Sequence, residues 1–216
     1  MKSLMVDIET LDTEPGACII SIGICAFTQE DNVIASQGWA ISDRDWHGTI
    51  NPSTVKWWTK QNEAAREYSF NGSVTSLNAA LELKAFMELY GGDELWANDP
   101  DFDVTLLKMW WKRVEHHHKY TLGNFPGGPL RHRLPRSYRT LVAEATRLGI
   151  QYGGAFNHGS VAHNPVDDAC NQARVIVRIR HNLVGASSDS PSPTILDLFN
   201  RPEGLLSAGG VHTKSG

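Results

Sequence analysis

Four carboxylates and one histidine are the residues of this chain whose types and spacing could carry out chemistry. Asp7 and Glu9 stand two positions apart near the N-terminus, Asp103 lies near the middle of the chain, and His163 precedes Asp168 by five positions. Hard divalent cations such as Mg²⁺ take oxygen ligands, and several carboxylates in one site are typical of two-metal phosphoryl chemistry, in which the ions lie ~3.5 to 4 Å apart. The set therefore predicts a metal centre that acts on phosphate esters.

Strand geometry explains the spacing of the first pair. Successive side chains of an extended strand point to opposite faces, so Asp7 and Glu9 share one face while Val6 and Ile8 point into a core. The pair can therefore hold a cation at the edge of a buried core.

The last predicted helix separates the adjacent acids Asp167 and Asp168. Asn164 is a suitable N-cap and Pro165 a suitable first helical residue, so both acids fall in the first turns. Asp168 lies on an apolar row that faces protein, whereas Asp167 heads a polar row and can interact with the helix dipole. We therefore expect Asp168 to be the ligand. The apolar row continues with Val175 and Ile179, and the polar row with Asn171, Arg174 and Arg178.

His163 is the histidine placed to serve this centre. It directly precedes the helix that carries Asp168, and its unperturbed pKa of ~6.5 suits the removal of a proton from an attacking water near neutrality. The histidine run 116–118 is a poor chelate, because three consecutive residues of a helix point in different directions. We interpret that run as a helix end.

The composition indicates an ordinary globular chain. Its 216 residues, 41% of them hydrophobic, are enough for one sizeable domain with a tail. The longest apolar stretch, 17–27, is too short to cross a bilayer, and no basic region precedes the first strand pattern. We expect no membrane association and a cytoplasmic location. We also expect reduced core cysteines at Cys18, Cys25 and Cys170.

Charge is distributed unevenly along the chain. The net charge is −4, yet the segment 108–139 carries eight Lys or Arg residues against a single acid, Glu115. Such a segment could follow a phosphate backbone, and bound cations would reverse the local sign of the acidic cluster. The alternative interpretation is a solvated helix face and loop.

Alternating strand and helix patterns predict an α/β fold. Three strands joined by short turns would form an antiparallel meander, and a helix would begin near Ser53 or Thr54. Gly91 and Gly92 would end the helix that follows. The predicted strands are 1–7, 17–28, 33–41 and 94–98, and the later helices are 101–116, 138–148 and 164–184.

Three segments resemble the exonuclease motifs of the DEDDh proofreading-exonuclease superfamily. They are Asp7-x-Glu9, the segment 97–103 that ends in Phe102-Asp103, and the segment 163–169 that carries His163 and Asp168. The segment 52–61, with its Val-Lys-Trp-Trp run, resembles the phage-type and bacterial branch of 3′-to-5′ exonucleases. The resemblance covers residues 1–184, which implies an exonuclease domain there and a flexible tail, rich in Ser, Pro and Gly, over 185–216.

The resemblance implies a ribonuclease H-like fold and a hydrolytic enzyme. The expected central sheet is mixed, with its first three strands antiparallel and the rest parallel, and with helices on both faces. The enzyme would release 5′-mononucleotides from 3′ ends by a two-metal mechanism with Mg²⁺ or Mn²⁺, two ions per active site. The implied metal ligands are Asp7, Glu9, Asp103 and Asp168, and the implied general base is His163.

Five further residues are expected to contact the nucleic acid. Thr10 and Leu11 match positions that meet the terminal nucleotide, and Asn98 and Phe102 match positions near the scissile end. Leu11 and Phe102 also suit a core, and Asn98 also suits a strand end. We expect a base to stack on Trp58. Trp57 and Trp58 are adjacent and cannot share a face of the helix, so at most one of them can be a stacking platform. Core packing is the alternative for both.

The motif residues do not distinguish DNA from RNA as the substrate. Single-stranded DNA is favoured as substrate, and the alternative is an exoribonuclease that trims RNA 3′ ends, because the motif residues are the same for both. A catalytically silent nucleic-acid-binding or clamp-binding module is a third reading, which the presence of all five catalytic positions disfavours.

The tail contains an isolated apolar pentamer, Ile195 to Phe199, in a Pro- and Ser-rich stretch. It is similar to the pentapeptide with which bacterial replication proteins bind the sliding clamp, which predicts clamp contacts from Leu196, Leu198 and Phe199. The alternative is that the tail packs back onto its own domain. The favoured DNA substrate depends on the clamp reading, because a clamp encircles DNA. The resemblance also allows a homodimer.

Overall fold

The computed structural model describes residues 2–30, 32–92, 94–122, 128–130, 133–153 and 159–188. The chain divides into two units, Met1–Leu183 and Val184–Gly216. The segment with the predicted clamp contacts Leu196, Leu198 and Phe199 lies outside the described residues. The division into a domain over 1–184 and a flexible tail over 185–216 stays a prediction.

Five strands form one mixed sheet in the order β3-β2-β1-β4-β5. The first three pair antiparallel, β4 pairs parallel to β1, and β5 pairs parallel to β4. This topology confirms the predicted mixed sheet. The strands are β1 (Lys2–Thr10), β2 (Ile19–Thr28), β3 (Asn32–Ala40), β4 (Glu94–Ala97) and β5 (Leu134–Ser137).

Six α-helices accompany the sheet in the described part of the chain. Their local signals agree with the sequence: Gly91 ends one of them with φ 63°, and the Asn164 side chain caps the last by accepting from the backbone N–H groups of Val166 and Asp167. The helices are α1 (Pro52–Trp58), α2 (Glu63–Phe70), α3 (Ser76–Tyr90), α4 (Asp103–Leu122, kinked at His118), α5 (Tyr138–Arg147) and α6 (Pro165–Ser188).

Alternation along β1 divides the core between the two faces of the sheet. Leu4, Val6 and Ile8 belong to a cluster that includes buried residues of α3 and α4. Met5 points the other way, into a cluster with Ala169 and neighbouring residues of α6. Helices therefore cover both faces, as predicted. Because side chains alternate along a strand, Asp7 and Glu9 share the face of Met5, toward α6.

A glycine on β2 lets α6 approach this face closely. Gly23 pairs with Asp7 across the β1–β2 ladder. A Cβ atom built on Gly23 would lie 2.2 Å from the backbone of Pro165, the first residue of α6. Only glycine allows that contact, so Gly23 seats the start of α6 directly beside Asp7.

Two simpler expectations can be compared with the described residues. Cys18, Cys25 and Cys170 are all free and buried, as predicted. Among the helices of the described residues, none is both long enough and apolar enough to cross a bilayer.

Candidate active site

The predicted acids come together at the end of β1. Asp7 and Glu9 are buried there, and Asp103 is the buried first residue of α4, just beyond β4. Because β1 and β4 are parallel, their C-terminal ends meet at one edge of the sheet. The backbone N–H of Asp99 donates to Asp103 Oδ2 at 3.0 Å, which holds this carboxylate in place.

Asp168 and His163 approach from α6 and the turn before it. The backbone N–H of His163 donates to Asp168 Oδ2 at 2.9 Å, and His163 Nδ1 lies 3.7 Å from Glu9 Oε1. One ligand atom each from Glu9, His163 and Asp168 lies within 4.8 Å of the others. His163 has φ 64°, a conformation that residues other than glycine rarely adopt and that is concentrated at functional sites.

Burial and like charge raise the pKa of every one of these acids. Burial, and then the charges of Asp103, Glu9 and Asp168, hold the pKa of Asp7 well above its usual value. Burial raises the pKa of Glu9 to about 7 and that of Asp103 to about 7. Burial also raises the pKa of Asp168, and interaction with Glu9 raises that of His163. Four repelling carboxyl groups in one buried site are stabilised by cations.

The donor atoms suit a hard divalent cation. Asp168 Oδ1 is buried and has no hydrogen-bond partner among the described residues, so this oxygen is available as a ligand. By contrast, Asp167 Oδ2 accepts from the backbone N–H of Val161 at 2.8 Å. Carboxylate oxygens with one imidazole beside them are a donor set that fits Mg²⁺ or Mn²⁺.

Gln172 is a site residue that the sequence did not predict. Its Nε2 donates to Asp7 Oδ1 at 3.3 Å. Gln172 stands four residues after Asp168, so both side chains lie on the same face of α6. In the sequence, only the four-residue spacing from Asp168 could have indicated a role for Gln172. That spacing becomes informative once α6 is known to lie over Asp7.

A cavity of about 460 Å³ opens beside Glu9. It is large enough for part of a nucleotide, and it combines two aromatic rings with several hydroxyl groups. Phe102, one of the predicted substrate contacts, forms part of its wall, as does Thr10. The lining residues are Ile8, Glu9, Thr10, Thr13, Ser53, Thr54, Trp57 and Phe102.

The exposed tryptophan of α1 is Trp57, so the expectation that a base stacks on Trp58 is wrong. The side chain of Trp58 is 1% exposed, and its indole N–H donates to the Thr10 carbonyl at 2.9 Å. Trp57 is 41% exposed and lines the cavity. The adjacent positions lie about 100° apart around the helix. The side chain of Trp58 packs in the apolar cluster of Leu11, Cys18 and Ile20.

The other predicted substrate contacts have different surroundings. Leu11 is buried in the same cluster as Trp58, so its side chain is unavailable to a nucleotide, and the core interpretation holds for it. Thr10 donates its hydroxyl to the Asp12 carbonyl at 2.7 Å. Asn98 is half-buried, and its carbonyl accepts from the backbone N–H of Arg139 at 3.3 Å.

Three arginines of the basic segment 108–139 contact groups of their own chain. Arg113 donates to the carbonyls of residues 16 and 17, Arg133 to the Met87 carbonyl, and Arg136 to the Glu94 carboxylate. Arg139 differs, because its side chain is 68% exposed and pairs with Asp99 beside the acidic cluster. Arg113, Arg133 and Arg136 therefore serve structural contacts in the described part of the chain.

Most of the chain matches the model of one protein family. The model described as the 3′-5′ exoribonuclease Rv2179c-like domain matches residues 2–180. The chain belongs to this family. As an Rv2179c-like protein, it is a 3′-5′ exonuclease of the DEDDh type on a ribonuclease H-like fold, as the motifs indicated.

Solved structures share the fold of this Rv2179c-like chain at low identity. E. coli exonuclease I in complex with a 5cy-dA13 oligonucleotide is 12% identical, with a TM-score of 0.57 over 92% of this chain and 44% of that chain. This chain therefore spans less than half the length of exonuclease I. S. pombe Pop2p, in a form bound to Mg²⁺ and Mn²⁺, is 15% identical, with a TM-score of 0.56 over 87% of this chain and 86% of that chain. None of the curated proteins matches this chain.

Proposed function

We propose that this Rv2179c-like protein is an exoribonuclease that removes 5′-mononucleotides one at a time from the 3′ ends of single-stranded RNA. The observation that carries the proposal is the match to an exoribonuclease family over residues 2–180, with four predicted ligand carboxylates gathered in one site, three of them buried and that of Asp168 half-buried. The favoured DNA substrate rested on the clamp-like segment, which lies outside the described residues. The family description supports the RNA alternative instead.

Asp7, Glu9, Asp103 and Asp168 are the residues that we propose to hold two Mg²⁺ or Mn²⁺ ions. Such ions neutralise the phosphodiester, activate water and stabilise the leaving oxygen. The raised pKa values of these acids mean that metal binding must compete with protons near neutrality. Gln172 would orient Asp7, since a donor on one carboxylate oxygen leaves the other oxygen free to hold a cation.

His163 is the proposed general base. Its Nδ1 faces Glu9, so Nε2 is the nitrogen available to take the proton from the attacking water. The ring is partly exposed, which allows the proton to pass on to solvent after each cycle. The Asp168 carboxylate accepts from the backbone N–H of His163, so one contact ties the base to a proposed metal ligand.

The cavity beside Glu9 is the proposed site of the terminal nucleotide. Phe102 offers apolar surface to the base. Thr13 and Thr54 offer hydroxyl groups, which can both donate to and accept from a ribose 2′-hydroxyl. The Ser53 hydroxyl donates to Asn51 Oδ1 at 2.7 Å and can still accept. A hydroxyl-rich wall favours a ribonucleotide over a deoxyribonucleotide, because the 2′-hydroxyl is the group that distinguishes them.

The proposal is tested by degradation of 5′-labelled RNA and DNA of the same base sequence. With Mg²⁺ or Mn²⁺ we expect a ladder of shortened RNA, faster than any ladder on DNA, and none with EDTA or with an Asp7→Ala, Glu9→Ala variant. Equal or faster degradation of DNA would overturn the RNA assignment. Absence of a ladder on both polymers, with a folded protein, would overturn exonuclease catalysis by this site.

Partners and location are further proposals. We propose a cytoplasmic protein without membrane association, able to form a homodimer. Clamp binding through Leu196, Leu198 and Phe199 is testable with a Leu198→Ala, Phe199→Ala variant. Unchanged binding of that variant to a clamp would overturn this role.

A further inference from the structure

His163 lies against two indole rings. The centroid of the Trp57 ring is 4.8 Å from that of His163, with an interplanar angle of 82°. The Trp58 ring is 6.4 Å away at 71°. Both are edge-to-face arrangements, the geometry that aromatic rings prefer. The imidazole is thus packed by aromatic side chains on the side that α1 covers.

Trp58 fixes α1 to the strand that carries the acids. Its buried indole N–H donates to the Thr10 carbonyl, one residue beyond Glu9. Trp57 and Trp58 meet edge-to-face at 5.3 Å and 80°. The Asn51 side chain caps the start of α1 by accepting from the Ser53 N–H. The position of Trp57 is therefore tied to the end of β1.

Polar contacts alone do not fix the direction of the His163 ring. Nδ1 is 3.7 Å from Glu9 Oε1, beyond the range of a hydrogen bond. The contact at 2.9 Å with Asp168 is made by the His163 backbone and leaves the side-chain torsions free. The shorter of the two ring contacts of His163 is the one with Trp57, and it can fix the direction of the imidazole by packing.

We propose that Trp57 is a positioning residue for His163, which holds the imidazole in the direction that the proton transfer requires. This inference rests on the proposed function, in which His163 is the general base. Trp57 would act on the chemical step through His163, because a misdirected ring abstracts a proton less often. The rival role for Trp57 is that of a platform for the terminal base, which would act on substrate binding.

The kinetic constants of three variants distinguish these roles. With saturating metal and single-stranded RNA, Trp57→Leu should lower kcat about threefold to tenfold and leave KM nearly unchanged, because the ring contact that directs His163 is lost. Trp57→Phe should restore most of kcat, since a phenyl ring can make an edge-to-face contact. Val55→Ala is the matched control, because Val55 is on the same helix, is 37% exposed, and lines a different cavity.

A double-mutant cycle with His163→Ala gives the decisive result. If Trp57 acts through His163, Trp57→Leu should cause no further fall in kcat once His163 is alanine. The positioning role would be overturned if Trp57→Leu lowered kcat by the same factor with and without His163→Ala. It would also be overturned if Trp57→Leu raised KM and left kcat unchanged. Melting temperatures of all variants identify losses that come from unfolding alone.

The proposed function fails by a different result. If wild-type protein leaves RNA intact, or if His163→Ala leaves kcat unchanged, the reaction or its general base is wrong, whatever Trp57 does. If His163→Ala is strongly impaired and Trp57→Leu keeps wild-type kcat, the reaction stands and only the role of Trp57 is overturned.

Discussion

Single residues differ sharply even when they are neighbours, and Asp167 and Asp168 show this most clearly. Asp168 has an unused buried oxygen beside Glu9, whereas Asp167 accepts from the backbone of Val161. Asp168→Asn should lower metal-dependent degradation of RNA by more than about 100-fold, because a charged metal ligand is lost. Asp167→Asn should stay within about threefold of wild type, because an amide oxygen can accept the same bond. Equal losses from the two substitutions would contradict the assignment.

Gln172 permits a prediction about metal affinity. Its amide donates to Asp7, so Gln172→Ala should weaken metal binding by about 10-fold and leave kcat recoverable at high metal concentration. The measurement is a titration of RNA degradation with Mn²⁺. His181→Ala, an exposed substitution on the same helix, is the control and should leave the titration unchanged. A fall in kcat that excess Mn²⁺ does not reverse would argue against a role through Asp7.

At the scale of elements, the seat of α6 on the sheet depends on Gly23. A methyl group there would overlap the Pro165 backbone, so Gly23→Ala should lower the free energy of unfolding by about 1–3 kcal/mol and reduce RNA degradation by displacing Asp168 from Asp7. Gly38→Ala is the matched comparison, because its methyl would meet side-chain atoms of Val166 and Tyr68. Denaturant unfolding measures both, and an equal or larger loss from Gly38→Ala would contradict this account.

The elements differ in how far the sequence could predict them. β1, β2 and β3 were predicted to within a few residues. β1 and β2 are buried strands of nine and ten residues that carry a long apolar pattern, and β3 alternates half-buried with exposed residues over 33–36. β5 was missed, since it is four residues long, exposed, and contains a proline at the edge of the sheet. α2 was missed because it buries only Ala65 and Ser69, too few for an apolar stripe.

The candidate site shows the same division. The five proposed catalytic residues carry charge or an imidazole at motif spacing, so they could be named from the sequence. Gln172, Trp57 and Gly23 have roles that exist only after α6 and α1 have packed around β1. The prediction that Trp58 stacks on a base was wrong for the same reason. Helical periodicity shows that Trp57 and Trp58 lie on different faces of α1, but it does not show which face meets the core.

At the scale of the whole molecule, the acidic cluster links stability to pH and metal. Unfolded Asp and Glu titrate near about 4, whereas Glu9 and Asp103 in the folded protein titrate at about 7. Between these values the metal-free folded protein keeps protons that the unfolded chain has released. Rising pH therefore lowers the free energy of unfolding through this window.

Divalent cations should reverse this loss, because they bind the ionised carboxylates of the folded state only. The rise in melting temperature caused by Mn²⁺ should be small at about pH 5, where protons occupy the site, and should grow up to about pH 8. Melting curves with and without Mn²⁺ measure it across that range. The Asp7→Ala, Glu9→Ala variant should lose both the effect of Mn²⁺ and most of the destabilisation at high pH, since it removes two of the repelling charges. A Mn²⁺ effect that is independent of pH, or that persists in this variant, would place the cation elsewhere than among these acids.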